Sequence, residues 1–224
     1  MDDANERWSY SIEKDGDMVV DIARSERDIE EAMEFCGKMY QSSYGTRWAV
    51  APDVLFVARQ NGKVVGTGGL EIGGQHIHIG AEKYFRLSPR MIDFISRNRQ
   101  KIAEFGRFSS SHRKAGQVIF SSAIDYLEKN GFTYLFAWAN PSIYSHVASR
   151  IGVPFWVVDV PINKEAVYND NDSDWINPPV GFFIREKPPT LLISILPFWD
   201  FVKVGLQNKT RYIVSNDEFP VSVV

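Results

Sequence analysis

The chain has 224 residues, 44% of them hydrophobic and 24% charged, with a formal net charge of −3. That apolar share supports one well-packed soluble domain, and the slight acidity argues against a protein that holds nucleic acid through a basic face. Cys36 is the single cysteine, which excludes an internal disulfide framework. No apolar run approaches the roughly 20 residues that span a bilayer, and the start, MDDANERWSY, is too acidic and polar for a secretory signal. A cytoplasmic location is the simplest expectation.

Residues 1–17 read as a flexible leader, although Trp8, Tyr10 and Ile12 alternate as an edge strand would. Met18–Ala23 is the first clear strand. Ser25-Glu26-Arg27-Asp28 reads as a capping box, and Ile29, Ala32, Met33, Cys36 and Tyr40 recur at helical spacing up to a stop at Tyr44-Gly45. Arg47 and Trp48 lie in the loop that follows, where they either close over a substrate or anchor the loop. Val54–Arg59 and Val64–Leu70 are strands joined through Asn61-Gly62, a strong hairpin signal because both residues accept positive φ. His76–Ile79 alternates as a short strand. Ser88-Pro89 opens a helix to about Arg97.

The stretch Gln100–Gly116 combines a strand, Lys101–Phe108, with a small polar loop (Ser109, Ser110, Ser111), a basic pair (Arg113, Lys114) and Gly116 at a helix start. Unpaired N–H groups at a helix N-terminus carry partial positive charge, so this order makes a plausible phosphate cradle. Ala115–Asn130 is the clearest helix. Phe132–Ala139 lacks alternation and is expected to be buried on both faces. Asn140-Pro141-Ser142 starts a short helix, Ile143–Ile151, and Phe155–Val160, Gly181–Arg185 and Leu191–Leu196 read as later strands. The acidic tract Tyr168–Asp174 reads as a solvated loop. The layout is α/β, with a mixed central sheet flanked by helices in a single domain over residues 18–200 and a C-terminal extension over residues 201–224.

Three motifs then carry a family likeness. Ala103-Glu104-Phe105-Gly106-Arg107-Phe108 looks like the Glu-x-x-Arg-Phe strand of the acyl-homoserine lactone synthases. Arg113-Lys114-Ala115-Gly116 is similar to the start of the GNAT carrier-binding loop. Asn140 with Arg150-Ile151-Gly152-Val153 looks like the second signature region. On these residues the chain resembles the GNAT acyltransferase superfamily, nearest the branch of acyl-homoserine lactone synthases and N-acyl amino acid synthases. The resemblance covers roughly residues 18–160.

The resemblance implies acyl transfer, without a metal, from an acyl-CoA or from acyl-phosphopantetheine on an acyl carrier protein to a small amine. A fatty acyl group and an amino acid acceptor are the leading expectation. An acetyl-CoA N-acetyltransferase and a silent acyl-binding module are the alternatives. It implies catalytic roles for Glu104, Arg107 and Tyr144, and carrier contacts from Phe108, Ser109, Ser110, Ser111, Arg113, Gly116 and Asn140. Ala148 stands where many superfamily members carry a tyrosine acid, and Tyr144 lies one turn earlier.

Each residue keeps a structural alternative. Glu104 is a general base or an ion-pair partner of Arg107 or Arg113. Arg107, three residues on, faces away from Glu104 unless a bulge intervenes, and the resemblance implies one. Asn140 contacts the pantetheine arm or caps a helix. Tyr144 is an acid or a packing residue. His76 and His78 read as a surface or pocket-edge pair. Glu71 either supplements Glu104 in binding an amine or lies on the surface.

Overall fold

The computed structural model describes residues 9–12, 18–141, 155–170, 174–196 and 212–215. Strands β1 (Ser9–Ile12) and β2 (Met18–Ile22) lead into helix α1 (Glu26–Tyr44). The Ser25 hydroxyl accepts the Asp28 amide at 3.1 Å, a cap worth about 1 kcal/mol. At the other end Gly45, with φ of 69°, donates its N–H to the Gln41 carbonyl. One turn apart, Ala32, Cys36 and Tyr40 press into the sheet. Next come β3 (Val54–Gln60) and β4 (Lys63–Ile72), whose two-residue hairpin has Asn61 at φ 52° and Gly62 at φ 75°.

Helix α2 (Gly80–Tyr84) and helix α3 (Pro89–Asn98) precede β5 (Ile102–Ser110). Helix α4 (Arg113–Lys129), β6 (Tyr134–Ala139), β7 (Trp156–Asp159), β8 (Thr190–Ile195) and β9 (Tyr212–Ser215) complete the sheet. The described strands run in the order β1-β2-β3-β4-β5-β6-β8-β7-β9. Both Ser9–Ile12 and Tyr212–Ser215 thus pair into it, one at each edge.

The sheet separates two cores. On one face α4 lays Ala115, Ile119 and Ala123 against Phe56, Leu70 and Phe105. On the other, α1 covers Leu55 and Val57, while Tyr84, Phe94, Phe136, Trp138 and Phe183 fill an aromatic-rich core. The glycines of β4 permit the first contact. A Cβ at Gly68 would lie 2.5 Å from Ile119 Cγ2 and 2.9 Å from Phe105 Cζ.

Three local expectations are corrected. His76–Ile79 is not a strand. Asp53 accepts both the Ile72 amide (2.6 Å) and His76 Nε2 (2.7 Å), and the chain turns there through Gly73–Gln75 into α2. Gly181–Arg185 is not a strand either; Val180–Phe183 is one helical turn after Pro178-Pro179, and adjacent Phe182 and Phe183 both enter the aromatic core. In the acidic tract Asp170 is not solvated. Its side chain is 1% exposed, held by Lys83 at 2.9 Å and by the Tyr84 hydroxyl at 2.7 Å. The expected helix Ile143–Ile151 lies outside the described residues, as do Tyr144, Ala148 and the Arg150–Val153 motif.

Replacing Gly68 by Ala pushes α4 off the sheet. We expect a loss of about 1–3 kcal/mol of stability in urea unfolding. Gly106→Ala, whose Cβ meets nothing within 4 Å, changes it little.

Candidate active site

β5 and β6 run parallel and pair from Ile102/Tyr134 only as far as Phe105/Ala137. Past that point β5 continues beside β4 and β6 continues beside β8, so the two strands part. The cause lies on β5. Gly69 pairs with Gly106 and Thr67 with Ser109, leaving one extra residue on β5 between them. This is a β-bulge, and Arg107 within it has a φ of 49°. A non-glycine residue there costs on the order of 1 kcal/mol. The Arg107 carbonyl recovers part of this by accepting the Thr67 hydroxyl at 2.9 Å and the Cys36 thiol at 3.5 Å.

The parting strands leave a cleft that opens to solvent. Its walls come from both faces of the sheet: Phe105, Phe108 and Phe120 on the α4 side, Tyr40, Tyr44 and Trp138 on the α1 side. Gly106 sits at the waist, where a side chain would project into the open. Strands that splay at a bulge leave amides outside the ladder, which can serve as donors to a carbonyl oxygen.

The bulge also reverses the facing of Arg107. Three residues beyond Glu104 it would point away in a regular strand; here it shares the face of Glu104 and Glu71, which are directly opposite each other on β5 and β4. Arg107 Nη1 binds Glu71, Nη2 reaches the Val50 carbonyl at 3.3 Å, and the guanidinium lies 4.0 Å from the centre of the Trp48 ring. Trp48 in turn stacks on Trp175 at 3.6 Å, so the loop after α1 anchors the arginine.

Glu104 is 2% exposed. Its Oε2 accepts the Ala81 amide at 2.8 Å, at the start of α2. Burial first and the Glu71 carboxylate second push its pKa up to about 8, with Trp138, Ala81 and Arg107 pulling partly the other way. Trp138 stands between this carboxyl and the cleft: it lines the cleft, and its buried Nε1 makes no complete hydrogen bond. Glu104 is therefore adjacent to the cleft without lining it. Cys36 is buried under the bulge, and desolvation raises its thiol pKa, the opposite of an activated nucleophile.

The polar run after β5 differs from the expected loop. Ser109 and Ser110 belong to the strand, paired with Thr67 and Gly66. Ser109 turns its hydroxyl to Cys36 Sγ at 3.6 Å, away from α4. Ser111 binds the Val65 carbonyl through both its amide and its hydroxyl. His112, not a serine, caps α4, accepting the Ala115 amide on Nδ1. Arg113 is exposed at the first helical position, and Gly116 is buried one turn in. A Cβ at Gly116 would meet Phe108 Cζ at 2.9 Å and Ser110 Oγ at 3.1 Å, so this glycine lets the helix start approach the end of β5. At the end of β6, Asn140 is buried, donates to the Tyr44 hydroxyl at 3.0 Å and leaves Oδ1 without a partner. The structure thus brings Phe108, Ser110, Gly116 and Asn140 to the cleft end of β5 and β6, and Glu104 with Arg107 behind it.

Among known proteins, the model of the thermostable hemolysin family matches residues 22–175. The chain belongs to the thermostable hemolysin family. No curated protein matches the sequence. Among solved structures, this thermostable hemolysin family member is similar to FeeM, an N-acyl amino acid synthase from uncultured soil microbes. The identity is 14%, with 86% of this chain and 98% of that one covered and a TM-score of 0.57. The AHL synthase LasI matches at 10% identity over 81% of this chain and 91% of its own, with a TM-score of 0.51. Apo TofI matches at 13% identity over 80% and 90%, with a TM-score of 0.53. These likenesses establish a GNAT-type acyltransferase fold for this member of the thermostable hemolysin family.

Sequence reasoning did not single out Tyr40, Tyr44 or Trp138 as cleft residues. Their apolar spacing reads as ordinary core, and the non-alternating run Tyr134–Trp138 implies only a strand buried on both faces.

The raised Glu104 pKa has a stability consequence. Taking the ordinary carboxyl value of 4.5 for the unfolded chain, the folded protein binds the proton more tightly. The stabilisation is complete below about pH 4.5 and is lost as pH rises through about 8. Urea unfolding of wild type is expected to weaken between pH 5 and pH 8.5 more than that of Glu104→Gln, which lacks this titration.

Proposed function

We propose that the protein is an N-acyltransferase that moves an acyl group, fatty in character, from a thioester of coenzyme A or acyl carrier protein to the amine of an amino acid or related small metabolite. The observation that carries this reading is the apolar cleft opened where β5 and β6 part, walled by phenylalanines on one side of the sheet. An extended thioester fits that gap in place of the missing strand pairing. Its phosphate end would meet the start of α4 near Ser110, Arg113 and Gly116, with Asn140 beside the pantetheine arm. The phenylalanines favour a long acyl chain over an acetyl group.

In the reaction the amine nitrogen attacks the thioester carbonyl, the C–N bond forms and the C–S bond breaks. Amides of the bulge stabilise the developing oxyanion, and Glu104 accepts the amine proton. A carboxyl titrating near 8 suits that task. Arg107 holds Glu71 and the bulge in place. Orientation of the two substrates supplies the rest of the acceleration. A long-chain N-acyl amine is an amphiphile that disturbs bilayers, which offers one chemical route from this site to the hemolysis in the family's description.

Purified protein with palmitoyl-CoA or palmitoyl-acyl carrier protein and a panel of amino acids is expected to yield an N-acyl product by mass spectrometry. Glu104→Gln lowers kcat about 100-fold or more, and the wild-type rate falls as pH drops below about 8. Absence of product from every donor contradicts the reading. Gly106→Val keeps the fold but fills the waist, so acyl-CoA binding is lost while the melting temperature stays close to wild type.

A further inference from the structure

The proposed reaction produces a surplus proton. An acceptor that arrives as an ammonium carries three N–H bonds; the amide keeps one, the departing thiol takes one, and one must reach solvent. Glu104 cannot release it directly. It is 2% exposed, its Oε2 is occupied by the Ala81 amide, and Gly80 and Trp138 close around Oε1.

Its cross-strand partner is placed differently. Glu71 lies directly opposite Glu104 on β4, a position that sets the two Cβ atoms about 5 Å apart. The Glu71 side chain is 16% exposed, while its partner Arg107 is 3% exposed. Arg107 Nη1 holds the Glu71 carboxylate in this place, beside Glu104 and within reach of water. Among the described residues, no other charged group around Glu104 is so placed. On α2, Glu82 is turned to the Ile79 amide and Arg99, and Lys83 to Asp170 and Asp174. On α1 the titratable groups nearest the bulge are Cys36 and Tyr40, both held neutral by burial. β6 presents Trp138, and beyond β4 the Asp53 carboxylate is committed to His76 and the Ile72 amide.

We propose that Glu71 is the proton exit of the site: Glu104 takes the proton from the acceptor nitrogen, passes it to Glu71, and Glu71 releases it to water. Glu71 acts through Glu104 and touches neither acyl group nor acceptor. The inference rests on the acyl-transfer reading, and no redox change or further reactant is involved.

The test uses the full chain and two readouts. In infrared pH titration, the protonated-carboxyl C=O band that disappears in Glu104→Gln is expected to titrate about one pH unit lower in Glu71→Gln than in wild type, because a neighbouring negative charge is gone. In turnover, Glu71→Gln loses at least about tenfold in kcat with acceptor KM nearly unchanged. Added imidazole restores much of the loss, whereas a merely structural role gives no rescue. Glu71→Asp, which keeps the carboxylate, recovers part of the kcat lost in Glu71→Gln, and if the glutamine variant folds poorly the imidazole test is run on Glu71→Ala. An unmoved infrared midpoint, or a kcat loss indifferent to imidazole, overturns the exit. A wild type without any transfer defeats the acyl-transfer reading and with it the exit, whereas a wild type that transfers while Glu71→Gln matches it defeats the exit alone.

Discussion

The site depends on one irregularity in hydrogen bonding, the extra residue that β5 inserts opposite β4 at Arg107. A regular β5 would hold β6 along its whole length, and the gap would close into continuous sheet. Because the bulge twists the end of β5 toward β4, the parallel ladder stops at Phe105/Ala137 and a cleft opens through the sheet. The same inserted residue turns Arg107 onto the face of Glu104. One backbone irregularity thus creates both the cleft and the charge cluster beside it.

The bulge is held from several sides. Thr67 and Cys36 donate to its carbonyl, and Glu71, Val50 and Trp48 hold the guanidinium. Trp48 is itself fixed by the stack on Trp175, whose indole N–H donates to the Tyr84 hydroxyl at 2.9 Å. Tyr84 then binds the buried Asp170. A half-buried ion pair contributes little net stability once desolvation is subtracted, so the value of this assembly lies in fixing geometry. Satisfied partners around a strained residue are how a fold keeps such a conformation occupied.

Much of this was legible in the sequence because it rests on local signals. The Asn61-Gly62 hairpin and the periodicity of α4 follow from near neighbours and are present, and Ser25 caps α1, with the Asp28 carboxylate taking the Ser25 hydroxyl rather than the backbone N–H of a full capping box. The GNAT layout followed from their order together with the Glu-x-x-Arg-Phe motif. What could not be read were outcomes of tertiary contact. His76–Ile79 alternates like a strand, yet Asp53 captures His76 and the chain turns. Gly181–Arg185 is apolar enough for a strand, but two prolines precede it and the aromatic core takes both phenylalanines. The serines after Phe108 look like a loop, while pairing with β4 extends the strand through Ser110. Trp138 between Glu104 and the cleft is likewise a fact of packing that no spacing rule reports.

The central claim is that an acyl thioester replaces the missing strand pairing between β5 and β6. A crystal structure with a non-hydrolysable long-chain acyl-CoA analogue tests it most directly. The account predicts the pantetheine arm extended along Gly106–Phe108, the carbonyl oxygen at the bulge amides, the acyl chain among Phe105, Phe108 and Phe120, and the phosphates at the start of α4. An analogue bound elsewhere, with the gap between the two strands closed or water-filled, would contradict it.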